Sequence, residues 1–119
     1  MKILLVDDDE AILDMMSRLL EHRGHSVQVC SSPFGVSATI VRDPPELVVL
    51  DVMMPGLGGS ALAALIARLE LPTPPRVVLW SAMDDQALAD AGREAGGLPT
   101  VSKAMRASEI AAALERLGG

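Results

Sequence analysis

The chain has no tyrosine, one phenylalanine and one tryptophan, so aromatics make up only 2% of its 119 residues. Cysteine is as scarce: Cys30 stands alone and forms no internal disulfide, which permits a reducing cytosol. Cationic charge is short as well, with 10 Lys+Arg against 16 Asp+Glu and a net charge of −6. That balance argues against direct nucleic-acid binding, which needs clustered cations. Apolar runs such as Ile3–Val6, Leu47–Leu50 and Val77–Trp80 fall far short of the roughly 20 residues of a membrane helix. No basic segment followed by an apolar stretch opens the chain, so there is no secretory signal and we expect a cytoplasmic location.

What the sequence does contain is half hydrophobic and 22% charged, a composition that excludes a disordered chain. Its length fits one domain over residues 1–119. Two local features stand out against the sparse background. Four acids follow one another in Asp7-Asp8-Asp9-Glu10, and the only lysines are Lys2 and Lys103.

Short apolar runs alternate with segments of helical period. Strands are expected at Lys2–Val6, Ser26–Cys30, Leu47–Leu50, Val77–Trp80 and Leu98–Val101. Helices are expected at Asp9–Arg23, Pro33–Arg42, Ser60–Leu69, Asp84–Ala95 and Ala107–Leu117. In the first helix Ile12, Met15, Met16, Leu19 and Leu20 make the apolar stripe, and in the last Ile110, Leu114 and Leu117 face inward. This alternation implies an α/β fold, a three-layer doubly wound parallel sheet of five strands. The first, third and fourth strands are apolar throughout and belong at the centre. The second alternates, and the fifth contains Pro99, which cannot donate to a ladder. Right-handed crossovers then favour the order 2-1-3-4-5.

Ligands of such sheets bind outside the carboxyl ends of the strands, at the switch point between the first and third. Asp7 and Asp8 follow the first strand, Asp51 the third, Ser81 the fourth and Lys103 the fifth. Three carboxylates, a hydroxyl and an ammonium therefore meet on one rim. Clustered carboxylates repel unless a cation intervenes, and Mg²⁺ prefers such oxygen ligands. A carboxylate also serves as a nucleophile toward phosphorus. Lysine and serine are suited to hold phosphoryl oxygens.

Other features have plainer readings. Asp9 is expected to cap the first helix, and Gly56-Leu57-Gly58-Gly59 is a turn, lacking both dinucleotide and P-loop spacing. Cys30 is expected to be a small buried apolar residue. The Met15/Met16 and Met53/Met54 pairs and Trp80 are expected to fill the core. His22 and His25 fall around a helix end, away from the site.

Four segments together resemble the receiver domains of two-component response regulators, including the chemotaxis-type single-domain regulators. They are Ile3-Leu4-Leu5-Val6-Asp7-Asp8-Asp9-Glu10, Leu50-Asp51-Val52-Met53-Met54-Pro55-Gly56, Val78-Leu79-Trp80-Ser81-Ala82 and Val101-Ser102-Lys103. The resemblance covers essentially the whole chain and implies the flavodoxin-like receiver fold. It implies that Asp51 accepts a phosphoryl group from a sensor histidine kinase or phosphotransfer protein. Asp7, Asp8, Asp51 and the backbone carbonyl of Met53 would hold Mg²⁺, and Ser81 and Lys103 would engage the phosphoryl oxygens. The only chemistry implied is this self-catalysed transfer and autodephosphorylation. Output would leave through the fourth helix, fifth strand and fifth helix, a face whose Asp84, Asp85, Asp90, Arg93 and Arg106 also suit a homodimer.

Three positions depart from the family pattern. Thr100 stands where receivers carry the aromatic that reports phosphorylation, so the usual aromatic switch is absent. Ala104 follows Lys103 in place of the usual proline across a cis bond, leaving a strained cis bond or a relaxed trans loop as alternatives. Gly58 replaces a common Asp and loosens its loop. Met53 and Met83, two residues after Asp51 and Ser81, flank the path of an attacking water. These departures keep open a pseudo-receiver that binds partners without using phosphate. A haloacid-dehalogenase-like phosphatase needs a second Asp where Met53 stands.

Overall fold

Five strands alternate with five helices: β1 (Lys2–Val6), α1 (Glu10–His22), β2 (Ser26–Cys30), α2 (Val36–Arg42), β3 (Leu47–Asp51), α3 (Gly59–Ala67), β4 (Arg76–Ser81), α4 (Asp85–Glu94), β5 (Thr100–Ser102) and α5 (Ala107–Gly118). The computed structural model describes residues 1–119. All strands are parallel, in the order β2-β1-β3-β4-β5. The strands apolar on every residue sit in the middle, and all of β3 is buried. No helix is long and apolar enough to cross a membrane.

Alternation along the central strands divides the core into two layers. Ile3, Leu5, Val49, Val78, Trp80 and Val101 meet α1 and α5, through Leu13, Met16, Leu20, Ile110 and Leu114. Leu4, Val6, Val48, Leu50 and Leu79 meet α2 and α3 on the other face, through Val36, Ile40, Leu62 and Ile66. Burying each such aliphatic side chain stabilises the fold by about 1.5–3 kcal/mol.

Register brings the strand ends level. Val6 lies beside Leu50, Asp51 beside Trp80, and Ser81 beside Ser102. Asp7 continues β1, where its N–H donates to the Cys30 carbonyl at 3.1 Å. Asp9 caps α1, its Oδ1 accepting the N–H of Ala11 at 3.0 Å. At the opposite end of the strands, Glu115 accepts from Arg23 and pairs with His25 at 2.7 Å, tying α5 to the α1–β2 connection. Those two partners, Arg23 foremost, hold the Glu115 carboxyl down at about 2.

Several local expectations change. β5 starts at Thr100, not Leu98. Pro99 has no N–H to give, yet its carbonyl still accepts from Leu79 at 3.0 Å, so the edge position holds while the strand shortens. α2 begins only at Val36, after Gly35 at φ 91°, because a helix cannot run back through that left-handed residue. On α1 the buried residues are Leu13, Met16 and Leu20. Met15 is 47% exposed, since it lies about 100° around the helix from Met16. Met53 is 69% exposed while its neighbour Met54 is buried. Cys30 is half-buried on edge strand β2.

Candidate functional site

The rim beyond the carboxyl ends of β1, β3 and β5 gathers Asp7, Asp8, Asp51 and Lys103. Asp7 is fully buried; its Oδ1 accepts the Asp9 N–H at 2.9 Å. Its Oδ2 pairs with the Lys103 ammonium. Asp51 is 5% exposed, and its Oδ1 accepts the Met53 N–H at 3.4 Å. Asp8 is exposed at the mouth. Oxygens of all three carboxylates lie within 4.8 Å of one another.

Lys103 is mostly buried and lies 3.4 Å from Asp51 Oδ1. Its backbone N–H donates to the Ser81 carbonyl at 2.9 Å. Every peptide bond is trans, that of Lys103–Ala104 included, and the lysine nevertheless points inward. The turn is secured by Ser102, whose hydroxyl accepts the Ala104 N–H at 3.1 Å. Ser81 is buried on the same rim, and its Oγ accepts the Met83 N–H at 3.1 Å.

One ammonium against three carboxylates leaves the cluster short of positive charge. Burial pushes the Asp51 carboxyl up to about 6, with Lys103 pulling it down and Asp7 adding to the rise. The cluster therefore favours a further cation or a proton. Three convergent carboxylates fit a divalent hard cation and offer no soft nitrogen or sulfur ligand.

Two contributors lie outside the set that strand ends reveal. Gly59 opens α3 so close to Asp51 that a Cβ there would stand 2.5 Å from the Asp51 carbonyl oxygen. Trp80, read from sequence as core, is buried, but its ring centroid is also 5.3 Å from Lys103 Nζ. His25 binds Glu115 and takes no part in the site.

Comparison with known proteins agrees with the fold. The family model described as "Response regulator receiver domain" matches residues 3–115. The chain is 31% identical over 117 residues to response regulator MprA of Mycobacterium leprae, covering 98% of this chain and 50% of that protein. It is 30% identical over 113 residues to the phosphate regulon transcriptional regulatory protein PhoB of Pseudomonas aeruginosa, covering 95% and 49% respectively. The chain thus spans about half the length of the curated relatives it matches. Among solved structures, the receiver domain of NtrX from Brucella abortus is similar with a TM-score of 0.81 at 30% identity, covering 97% of this chain and 96% of that one. The Francisella response regulator 1452 receiver domain has a TM-score of 0.82 at 25% identity, with 98% and 95% covered.

Proposed function

The chain belongs to the response regulator receiver domain family, and from that premise we propose that residues 1–119 form a phosphorylation switch with Asp51 as phosphoacceptor. One observation carries this reading: the Lys103 ammonium lies against both Asp7 and Asp51 at the end of a wholly buried strand.

In the proposed transfer, a carboxylate oxygen of Asp51 attacks the phosphorus of a phosphohistidine on a partner histidine kinase or phosphotransfer protein. The P–N bond breaks, its electron pair stays on the imidazole nitrogen, which takes up a proton, and Asp51 becomes an acyl phosphate. Lys103 holds a phosphoryl oxygen and offsets the charge brought in. Ser81 donates its O–H to another oxygen, since its hydroxyl oxygen is already the acceptor from Met83. Asp7, Asp8 and Asp51 with the Met53 carbonyl are the groups that would hold Mg²⁺. Bound there, Mg²⁺ supplies charge neutralisation for the carboxylates and the transferring group.

The reaction is confined to the chain's own Asp51, with slow autodephosphorylation, and we place it in the cytoplasm. Output passes to another domain or to a second copy through α4, β5 and α5, where Asp90 pairs with Arg93 and Arg106 with Glu109. The relatives' greater length and the name of PhoB as a transcriptional regulatory protein support an output lying outside these residues.

Incubation with Mg²⁺ and acetyl phosphate, followed by intact mass, tests the reading. The expected result is one added phosphoryl group, absent in Asp51→Asn. Catalytic turnover of a phosphate ester would instead indicate a phosphatase, and an unmodified protein would indicate a module that works without phosphate.

A further inference from the structure

Lys103 has a long, flexible side chain, and nothing in its own turn dictates where the ammonium goes. Proline does not follow it, and the turn is pinned through backbone N–H groups, to the Ser102 hydroxyl and to the Ser81 and Ser102 carbonyls. The carboxylates that attract it are the same groups that a metal ion and a phosphoryl group would engage. A contact that survives those events has to come from elsewhere.

Trp80 supplies one. Its ring lies 5.3 Å from Lys103 Nζ, within the roughly 6 Å range of a cation–π contact. The ring is itself fixed: the indole N–H reaches across β3 and donates to the Val6 carbonyl at 3.2 Å, a buried bond. Turning the ring away would leave a buried donor unpaired. The backbone of the same residue accepts from Val52 at 3.2 Å. Trp80 therefore touches the residue before Asp7, the residue after Asp51, and Lys103 directly, and it is bonded to Ser81. We infer that Trp80 is a positioning residue for Lys103, an aromatic floor that aims the ammonium at the site where proline is lacking. This builds on the phosphoacceptor reading, but the contact exists without phosphate.

The chain's two lysines make the test direct. Lysine labelled with ¹³C at Cε gives two signals, and Lys2, paired with Asp43 at the far end of β1, is the internal reference. In the folded, unphosphorylated protein the Lys103 Hε signals are expected upfield of those of Lys2 through the ring current. Trp80→Phe, which keeps a ring but loses the indole N–H, is expected to retain part of that shift, and Trp80→Leu to lose it. In Asp51 phosphorylation by acetyl phosphate and Mg²⁺, Trp80→Leu is expected to react about tenfold more slowly, with Mg²⁺ affinity unchanged and Trp80→Phe recovering most of the rate. If Trp80→Leu does not fold, the wild-type shift and Trp80→Phe carry the test. Coincident Lys103 and Lys2 signals in the wild type would overturn the inference, as would an unchanged rate in a folded Trp80→Leu. A wild type that shows the upfield shift and takes no phosphoryl group would overturn the phosphoacceptor reading and uphold the contact.

Discussion

Lys103 pairs with Oδ2 of Asp7 and stands 3.4 Å from Oδ1 of Asp51, so one ammonium serves two buried carboxylates from different strands. Without it, Asp7 and Asp51 face each other with no cation. Lys103→Ala is expected to cost about 3 kcal/mol of stability at neutral pH, the scale of breaking a buried ion pair from one side. Added Mg²⁺ is expected to restore part of that loss without restoring phosphorylation. Urea unfolding with and without Mg²⁺ checks this; equal stability of variant and wild type would contradict it.

Asp51 turns the same crowding into a pH dependence. Its carboxyl is raised from 3.8 to about 6, chiefly by burial, so between those values the folded state holds a proton that the unfolded state releases. The resulting stability is fully present below pH ~4 and is lost as pH rises through about 6. Asp51→Asn cannot ionise and escapes that loss. The metal-free variant is expected to be more stable than wild type at pH 7, by on the order of 2 kcal/mol. The two should converge below pH ~4. Thermal unfolding across pH 4–8 measures the gap, and parallel curves would refute the assignment.

Asp8 separates metal binding from stability. It is exposed, unlike Asp7, and shares the three-carboxylate cluster. Asp8→Ala is expected to change stability by no more than about 0.5 kcal/mol, as at other surface positions. Its Mg²⁺ affinity is expected to fall by at least the ~10–100-fold that loss of even an outer-shell partner costs. Isothermal calorimetry with Mg²⁺ decides, and undiminished affinity would remove Asp8 from the metal site.

How much of this is legible in sequence follows from the kind of information each feature needs. The strand order and the rim holding Asp7, Asp8, Asp51, Ser81 and Lys103 are readable because a parallel sheet aligns its carboxyl ends, and wholly apolar runs mark the central strands. The inward course of Lys103 is not readable, because it depends on Asp7, Asp51 and Trp80, groups far from it in the chain. Trp80 reads as core from its alternation, and its contact with Lys103 emerges only once β4 and β5 are in register. Gly59 reads as part of a turn, while its close approach to Asp51 is a matter of helix placement. Met15 reads as filler because periodicity fixes the centre of an apolar stripe better than its edges, and Met53 because it lies in the loop between β3 and α3, where no period sets which side chain is buried.

Met53 is expected to govern how long the signal would last. It is 69% exposed beside Asp51, and its backbone N–H reaches Asp51 Oδ1, so its side chain borders the open approach to the phosphoacceptor. Half-buried Met83 holds the matching place beside Ser81. A thioether is a weak acceptor and no donor, so neither methionine holds a water well against the acyl phosphate. Asn at position 53 supplies both a donor and an acceptor there. One hydrogen bond of ~1 kcal/mol formed to the attacking water in the transition state corresponds to about fivefold in rate. Met53→Asn is therefore expected to shorten the acyl-phosphate lifetime about fivefold, with the rate of its formation changed far less. Decay of the phosphorylated protein followed by intact mass gives the lifetime. An unaltered decay would show that water reaches the phosphorus by a path Met53 does not border.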